Sequence, residues 1–462
     1  MTTSLDHLIK KYQGNVPRYT SYPTPDRWSN ASNAKFYEAK LSSLREKRDA
    51  VSLYIHIPFC QKLCYYCACN TLIRSRKQAP TNDYLDHLEK EFEIITEMAG
   101  GPLRINQLHL GGGTPTFLMV PQIERLLECC HKYFDFSTFS ESSFETDPST
   151  CTKEQISLFH ELGFRRISFG VQDFDPEVLE AVNRDNSPEC IQDLVSFSRQ
   201  QGYRSVNLDF IYGLPCQTLE TALNTVDRIS EIRPDRIALY NFAYLPEVKK
   251  HHLLLPKDRL PTPQEKAEVF MAVSERLTHY GYQPIGMDHF ALPGDELSYA
   301  TRNGTLARNF MGYTTKKAPH VLGTGLTGIS FLDNYYFQNS ANLHHYRDLL
   351  DDDQPPIVRS CELSYQDICC KYLIDELMCN LRIDPQAFQK IFGQTLNTFL
   401  PNIDTHLSEC LDDQLLIKQT DNSTPLYTVT STGRLFLRSI ARGLDAYLES
   451  ETGDTQMFSK AV

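Results

Sequence analysis

The sequence lacks the long apolar runs and the positive charge that would assign it to a membrane or to nucleic acid. No stretch approaches the roughly 18 consecutive apolar residues of a membrane-spanning helix, and the first seven residues contain no apolar signal core. The formal net charge is −12 at pH 7, which argues against a general nucleic-acid-binding protein. We therefore expect a cytoplasmic protein that binds neither membrane nor nucleic acid.

Internal repeats and low-complexity segments are also absent. An apolar content of 41% and a charged content of 23% are ordinary for a soluble globular protein, and 462 residues suggest two or three domains. Fourteen cysteines in a chain of this length do not indicate a disulfide scaffold, so a reducing compartment is expected. Most of them are interpreted as small buried hydrophobic residues.

Four cysteines within ten residues, Cys60, Cys64, Cys67 and Cys69, are the most informative feature of the chain. The C-x3-C-x2-C spacing of the first three sets three thiolates around one small volume, and thiolate is the usual protein ligand of iron–sulfur clusters. Three ligands on a four-iron cubane leave one iron free to bind a small molecule. That arrangement is typical of enzymes that cleave S-adenosylmethionine (SAM) reductively to make an organic radical.

The alternatives are a zinc site and thiols that hold nothing. Zinc usually takes two separated pairs of ligands, and no second C-x-x-C follows in the sequence. Cys69 would have to be the fourth zinc ligand, and it lies too close to Cys67 for easy tetrahedral geometry. The spacing therefore favours the open cluster.

Short β-branched or aromatic runs alternate with amphipathic helical patterns from residue 51 to about 245. Six such units predict a parallel sheet with right-handed crossovers, forming a barrel that is left partly open and is wide enough for a large substrate. One helical face is predicted from Tyr84 to Ile95, and another helix from Ile156 to Leu162 with Gly163 at its end. The strand candidates are Val51–Ile57, Ile105–Leu110, Ser140–Thr146, Arg166–Val171, Ser205–Phe210 and Arg236–Ala243.

The regions that flank the barrel have different compositions. Two prolines deny a helix to the run Pro17–Thr24, which predicts an extended arm within residues 1–50. Pro355 and Pro356 indicate a linker, so the barrel domain is expected over 51–355 and a small domain over 356–462. The tail predicts helices at Tyr365–Leu381 and Ser431–Leu448 and a short strand at Leu426–Val429, which favours a mostly helical, winged-helix-like domain.

In parallel barrels, chemistry gathers at the carboxyl ends of the strands. Gly111–Gly113 follows the second strand and would let a ligand approach the backbone closely, although a simple tight turn is the alternative. Glu145 ends the third strand and either accepts hydrogen bonds from an amine or ribose or is a salt-bridged surface carboxylate. Asp209 and Arg184 could form a pair that is functional or structural, and His56 is either functional or a satisfied core histidine.

Three later runs are too irregular for core and too long for turns, so we expect them to be loops that close the pocket. They are Gly286–Phe290, Arg308–Thr315 and Gly323–Ser330.

With these motifs, the chain resembles the oxygen-independent coproporphyrinogen III oxidases (dehydrogenases) of the radical SAM superfamily. The likeness runs through nearly the whole chain, and so many segments matched in order make it specific. It implies an α/β fold with a partial (β/α)6 TIM-like radical SAM barrel, an N-terminal arm over the active site and a small, mostly helical C-terminal domain. The matched segments are Pro17–Thr24, Tyr54–Phe59 leading into the cysteines, Gly111–Thr116, Gly170–Phe174, Asp209–Pro215, Gly286–Phe290 and Met457–Lys460.

The resemblance implies an oxidoreductase that converts coproporphyrinogen III to protoporphyrinogen IX without oxygen. Two propionate side chains would be oxidatively decarboxylated to vinyl groups after a SAM-derived 5′-deoxyadenosyl radical removes a hydrogen atom from each. No ordinary base could remove hydrogen from an unactivated propionate carbon, so a cofactor must supply this step.

The family's site residues carry over to matching positions. Cys60, Cys64 and Cys67 match the ligands of a [4Fe-4S] cluster, whereas Cys69 matches a position that is not a ligand. Two SAM molecules are implied. Residues matching the first SAM site are Tyr54, Gly112, Glu145 and Ile329, and those matching the second are Tyr66, Gly113, Thr114, Gln172, Arg184, Asp209 and Ala243.

Two positions depart from the family pattern. Met311 stands where glutamine is usual, which removes a polar partner near the second SAM, and Tyr66 stands where phenylalanine is common. For the anionic substrate we expect basic partners, namely Arg18 and either Arg165 or Arg166. An electron donor such as a flavodoxin or ferredoxin system is implied, and a monomer is expected.

Three rival functions remain open at this point. A related heme-binding chaperone shares the barrel but usually lacks Cys69 and the Pro17–Thr24 arm. A radical SAM tetrapyrrole methyltransferase or heme-opening enzyme would share the architecture, with SAM donating carbon in its reaction. A zinc-stabilised interaction module would be no enzyme at all.

Overall fold

The computed structural model describes residues 4–315, 319–421, 424–449 and 459–460. Met457 and Phe458 of the matched terminal run lie outside these ranges. The strands in the described residues are β1 (Ala50–Ile57), β2 (Phe59–Cys60), β3 (Leu72–Ile73), β4 (Arg104–Gly112), β5 (Glu141–Thr146), β6 (Arg166–Gln172), β7 (Ser205–Tyr212), β8 (Arg236–Asn241), β9 (Gln283–Ile285), β10 (His289–Ala291), β11 (Ala307–Asn309), β12 (Gly312–Thr314), β13 (His320–Thr324), β14 (Ile329–Leu332), β15 (Tyr335–Asn339), β16 (Ile357–Glu362), β17 (Arg382–Ile383), β18 (Leu416–Asp421) and β19 (Thr424–Val429).

The α-helices in the same ranges connect and cover these strands. They are α1 (Leu5–Tyr12), α2 (Ala34–Lys47), α3 (Thr81–Ala99), α4 (Val120–Tyr133), α5 (Lys153–Glu161), α6 (Pro176–Ala181), α7 (Pro188–Gln201), α8 (Leu219–Ile232), α9 (Pro263–His279), α10 (Glu296–Arg302), α11 (Leu343–Asp351), α12 (Tyr365–Asn380), α13 (Pro385–Phe392), α14 (Leu396–Phe399), α15 (Ile403–Asp412), α16 (Ser431–Leu435), α17 (Leu437–Arg442) and α18 (Ala446–Glu449). No helix of the described ranges combines the length and the apolar character that a bilayer span requires.

The six predicted barrel strands lie side by side and parallel, in the order β1-β4-β5-β6-β7-β8. This confirms the predicted (β/α)6 arrangement. Strand β13 pairs parallel with β1, and antiparallel strands extend the sheet on both sides, giving twelve strands in the order β16-β15-β14-β13-β1-β4-β5-β6-β7-β8-β10-β9. The two edge strands β16 and β9 do not pair in this order, so the barrel is open.

The spacing of apolar residues explains which side chains of the strands and of the covering helices are buried. Strand β1 buries alternating Val51, Leu53, Ile55 and Ile57 completely, as expected for a central parallel strand. The face predicted for α3 is buried against the sheet, from Tyr84 to Ile95. Helix α5 ends before Gly163, whose φ of +93° is the left-handed conformation that the predicted helix end requires.

The tail departs from one sequence prediction. The single helix expected over Ser431–Leu448 is wrong, because the structure forms three short helices, α16, α17 and α18. The first break lies at Phe436, which ends α16. The second lies at Gly443, which ends α17 and packs so closely that a Cβ there would lie 2.0 Å from the His406 ring. The helical tail also holds a small sheet, β17-β19-β18, which includes the predicted strand at Leu426–Val429.

Strand β16 follows Pro356 directly and pairs with β15 in the large sheet. The chain therefore still belongs to the barrel sheet after the predicted linker, and the domain boundaries stay a prediction.

The N-terminal region is more than an arm, because α1 and α2 flank the run Pro17–Thr24. The run itself is not helical, as its prolines predict. The hydroxyls of Tyr19 and Tyr22 donate to Asp445 (3.0 and 3.2 Å), and Arg438 donates to the carbonyl of Pro17 (3.0 Å). Polar contacts to the C-terminal region therefore hold the run in place.

Removing the Arg438 side chain tests this attachment. Arg438 is buried and donates to the carbonyls of Val16, Pro17, Ser459 and Lys460. The substitution Arg438→Met would remove these hydrogen-bond donors from all four carbonyls. We expect the free energy of unfolding to fall by about 3 kcal/mol and proteolysis within residues 13–24 to accelerate. The exposed Arg442 on the same helix gives a matched control, Arg442→Met, and equal effects of the two substitutions would contradict the expectation.

Candidate active site

The cysteine loop (residues 59–73) follows the carboxyl end of β1. Its first and last residues form the short strands β2 and β3, which pair with each other and close the loop. A segment that follows β8 clamps the loop: Lys249 Nζ donates to the carbonyl of Cys69 (3.0 Å), and the His251 ring bonds the carbonyl of Cys67 (2.7 Å). Sequence reasoning missed both clamping residues, because nothing in their local pattern marks them.

The three predicted cluster cysteines are free thiols that are partly exposed on this one loop. Thr114 Oγ1 lies 3.4 Å from the sulfur of Cys60, and Arg184 Nη1 lies 3.5 Å from that of Cys64. Burial, with smaller contributions from the neighbouring Cys67 and Cys64 thiols, raises the pKa of Cys60 to about 12. The thiols are thus close enough to interact electrostatically.

One thiol is more acidic than the others. A hydrogen bond from the Cys69 thiol lowers the pKa of Cys67 to about 7, and the positive charges of Lys249 and Arg184 act in the same direction against burial. Cys69 is more exposed than Cys67. Because thiolate is the form that binds metal, the loop is suited to a thiolate-bound group.

The donor set fits a cluster better than a single ion. Across the described ranges, no three side chains of His, Cys, Asp or Glu converge closely enough to hold one metal ion. A cubane takes each thiolate on a different iron, so its ligands need not converge on one point. Three cysteines on one loop are the donors that such a cluster requires.

The glycine run approaches the end of β1 closely. Gly112 has a φ of +112°, and a Cβ there would lie 2.6 Å from the His56 ring. A Cβ on Gly113 would lie 2.7 Å from the carbonyl carbon of Pro58, and its N–H donates to the carbonyl of Ile57 (2.8 Å). The run is therefore a close-approach segment, which only glycine permits at these positions.

His56 behaves as a satisfied core histidine. Its ring is buried and bonds the hydroxyl of Tyr54 (3.1 Å) and the carbonyl of Asn70 (3.0 Å). The His56 ring packs against Gly112, and its hydrogen bond positions Tyr54, whose ring stacks on that of His109.

Glu145 projects into the barrel from the end of β5 with 48% of its side chain exposed. It accepts hydrogen bonds from His109 (3.4 Å) and from the N–H of Gly112 (3.4 Å). Partial desolvation of the carboxylate by the surrounding barrel opposes ionisation, but these donors hold the pKa of Glu145 below its ordinary value. An ionised carboxylate therefore faces the cavity beside the glycine run and can accept from a ligand amine or hydroxyl.

Arg184 has a different partner from the one that the sequence suggests. Its guanidinium binds Asp147 (2.7 Å), and within the described residues no ion pair joins it to Asp209. Asp147 lies just past the carboxyl end of β5, so its position alone could have identified it. Gln172 has a φ of +72°, and its Oε1, like Arg184 Nε, is buried without a hydrogen-bond partner among the described residues. A bound ligand with polar groups would satisfy these unpaired atoms.

Asp209 is a partly buried carboxyl group inside the barrel. Asn207 donates to it (2.8 Å), as does Ser168 (3.4 Å). Burial and the nearby charge of Glu145 raise the pKa of Asp209 to about 7. Met311 lines the same cavity, so the departure from the family pattern lies within the site.

The other matched positions lie around the same barrel mouth. Ala243 follows β8 by two residues, and Ile329 begins β14, whose backbone leaves no room for a Cβ on Gly323. Tyr66 packs with Phe242 in an apolar cluster beside the cysteine loop. The structure thus brings together the predicted residues of the cysteine loop and the strand ends.

The predicted substrate arginines separate in space. Arg18 Nη2 donates to the carbonyl of Asn241 (2.8 Å), at the carboxyl end of β8, so the arm reaches the barrel mouth. Arg166 begins β6 and forms an ion pair with Glu141 at the barrel floor. Arg165 precedes that strand and donates to the carbonyls of His160 and Phe164, so the structure does not bring it to the mouth.

Comparison with known proteins agrees with this geometry. A family model described as the radical SAM superfamily matches residues 54–229, which run from Tyr54 within β1 through the cysteine loop and the next four barrel strands, β4 to β7. The oxygen-independent coproporphyrinogen III oxidase of Synechocystis sp. is 37% identical over 98% of this chain and 97% of its own, and that of Escherichia coli is 37% identical over 98% of both chains. The solved structure of the Escherichia coli coproporphyrinogen III oxidase, described as a radical SAM enzyme, is 36% identical with a TM-score of 0.89, covering 97% of this chain and 100% of that one.

Fold and cysteine loop together define a radical SAM protein. The identity over almost the full length of both chains then shows that it belongs to the oxygen-independent coproporphyrinogen III oxidases.

The raised pKa of Asp209 predicts a pH-dependent cost to stability. Between pH 4 and pH 7 the folded state binds more protons at Asp209 than the unfolded state, so this group lowers stability as the pH rises. Asp209→Asn should therefore raise the free energy of unfolding of the cluster-free protein by about 4 kcal/mol at pH 8 and leave it nearly unchanged at pH 4.

Urea unfolding at the two pH values measures the difference. The exposed carboxylate of Asp185 gives the control Asp185→Asn. A gain for Asp209→Asn that is equal at both pH values would contradict the expectation.

Proposed function

We propose that this protein oxidatively decarboxylates two propionate side chains of coproporphyrinogen III to vinyl groups, giving protoporphyrinogen IX without oxygen. The single observation that carries the proposal is the loop with Cys60, Cys64 and Cys67 at the mouth of the open barrel, beside the glycine segment: Thr114 contacts the sulfur of Cys60, and Gly112 donates to Glu145. Full-length similarity to oxidases of this name supports the choice of substrate.

In this proposal Cys60, Cys64 and Cys67 hold a [4Fe-4S] cluster, and Cys69 is not a ligand. When bound, the cluster and SAM supply the radical that removes hydrogen from the substrate. Cys69 instead donates to the Cys67 thiolate, as its hydrogen bond suggests. Arg184 near the sulfur of Cys64 adds positive charge that favours the thiolate.

The protein's own part is to orient the ligands. Glu145 accepts from the SAM amine, and the exposed backbone of Gly112 lies beside it; Tyr54 and Ile329 complete this first SAM site. A second SAM molecule would meet the unpaired atoms of Gln172 and Arg184, with Tyr66, Gly113, Thr114, Asp209 and Ala243 around them. Met311 offers this second molecule an apolar contact.

For the substrate, Arg18 is the best placed of the three arginines. Its guanidinium lies at the mouth, where one N–H group donates to the carbonyl of Asn241. Charge-assisted hydrogen bonds from its other N–H groups would orient a propionate. Arg165 and Arg166 both lie at the amino end of β6, away from the mouth, where Arg165 donates to the carbonyl of His160 and Arg166 forms an ion pair with Glu141. The geometry therefore favours Arg18 over both as a partner of a large tetrapyrrole.

Cysteine substitution under anaerobic conditions tests the cluster assignment and the reaction. Reconstituted Cys67→Ser should lose most of its iron and the visible absorbance of the cluster, and should form neither 5′-deoxyadenosine nor protoporphyrin from SAM, reductant and coproporphyrinogen III. Cys69→Ser, the control two residues away, should keep the cluster. Retention of cluster by Cys67→Ser, or heme carry-over without any product from the parent enzyme, would refute the proposal, and the latter would indicate a heme-binding chaperone.

Arg18→Gln tests the substrate contact. Loss of one charge-assisted contact of about 2 kcal/mol should raise KM for coproporphyrinogen III roughly thirtyfold, while the Kd for SAM stays unchanged. Titration with SAM and steady-state kinetics separate the two effects. Arg165→Gln serves as the control with no expected change, and an unaltered KM in Arg18→Gln would exclude the contact.

A further inference from the structure

Residues 245–257 cover one side of the cysteine loop, and we name them the cover segment. Its inner side is packed: His252 is fully buried, and Leu255 is 4% exposed beside Tyr65 and Tyr66 of the loop. Its outer side exposes three large apolar residues, Val248 (67%), Leu253 (67%) and Leu254 (58%). Apolar side chains so exposed, and so close in sequence, mark an interaction surface.

Hydrogen bonds and ring contacts to the rest of the protein fix the cover segment in position. His252 accepts from the N–H of Leu245 (3.0 Å), and its ring lies against those of Phe242 and Tyr244. The bonds from Lys249 and His251 to carbonyls of the cysteine loop tie the segment directly to that loop. A surface that is already ordered loses little conformational entropy when a partner binds.

The charge around this surface differs from that of the whole protein. The chain carries a net charge of −12, yet residues 57–80, which contain the cysteine loop, hold four basic residues and no acidic one. The cover segment adds the exposed Lys250 and Lys257 beside the apolar side chains, and Lys62 is exposed on the loop itself. Glu247 is the only acidic residue of the cover segment.

We propose that Lys62 and the outer side of the cover segment (Val248, Lys250, Leu253, Leu254 and Lys257) form the docking site of a small acidic protein that carries a low-potential one-electron group. This inference rests on the proposed function, which consumes one electron for each SAM molecule cleaved. The docked donor is oxidised by one electron and the cluster is reduced by one electron, and no proton or other group is transferred.

Location and charge together favour this occupant. Electron transfer slows steeply with distance, so the donor must bind close to the cysteine loop, and the cover segment contacts the loop directly. An acidic donor would be repelled by a protein of net charge −12 unless a local basic patch steered it. Weak redox encounters use small interfaces, and three apolar side chains with a lysine rim suit one.

Binding to the reconstituted holoenzyme tests the proposal. A purified flavodoxin and a purified [2Fe-2S] ferredoxin, both acidic, are titrated at low and at physiological salt. We expect binding that weakens with salt, and a Kd roughly tenfold higher for Lys250→Glu/Lys257→Glu and for Leu253→Ser/Leu254→Ser. Lys390→Glu/Ile391→Ser provides a matched control on α13, where Lys390 is exposed and Ile391 is 55% exposed.

Activity with two reductants separates this proposal from the proposed function. With dithionite, every variant should form 5′-deoxyadenosine at the parent's rate, whereas with the protein donor the two cover-segment variants should be roughly tenfold slower. Absence of 5′-deoxyadenosine in the parent with dithionite would refute the proposed function instead.

Three results would overturn the docking site. The first is an unchanged donor affinity in both cover-segment variants, and the second is the absence of salt-dependent binding of either donor to the parent. The third is sedimentation of the parent, but not of the variants, with vesicles of phosphatidylglycerol and phosphatidylcholine while donor affinity is unchanged, which would make the surface a membrane contact.

Discussion

The close approach of the Gly111–Gly113 backbone to the end of strand β1 is the constraint on which the site depends. Parallel pairing brings Ile57 opposite Gly112, and the N–H of Gly113 donates to the carbonyl of Ile57 at 2.8 Å. Cys60, the first cysteine of the loop, lies two residues beyond Pro58, so this contact fixes the position of the thiols relative to strand β4. A side chain on either glycine would push the two chain segments apart and separate the cysteines from Glu145.

The parallel sheet extends this constraint to the rest of the site. Each crossover returns the chain to the same edge, so Glu145, Gln172 and Asp209 lie near one edge of the sheet although they are far apart in sequence, and Glu145 and Asp209 line one cavity. The two carboxyl groups in the cavity differ in their readiness to ionise. Hydrogen-bond donors lower the pKa of Glu145, whereas burial and the charge of Glu145 raise the pKa of Asp209. The protein tolerates a raised pKa and unpaired polar atoms there because a ligand would satisfy them.

The ends of the chain complete the mouth of the barrel. The Pro17–Thr24 run is held against the C-terminal region by Arg438 and Asp445, which places Arg18 at the end of β8. The segment after β8 in turn clamps the cysteine loop. Substrate access and electron supply would therefore meet the site through different surfaces, the arm and the cover segment.

Sequence alone determined the features that depend on local spacing and periodicity: the three cysteines, the six strand–helix units, the glycine run and the residues at the strand ends. Only the tertiary structure decided what depends on packing between distant segments. It paired Arg184 with Asp147, left Arg165 beyond the amino end of β6, brought Lys249 to the cysteine loop and broke the tail helix where Gly443 meets the His406 ring. Such contacts join segments whose separation along the chain carries no periodic signal, so the pattern of one sequence cannot specify them.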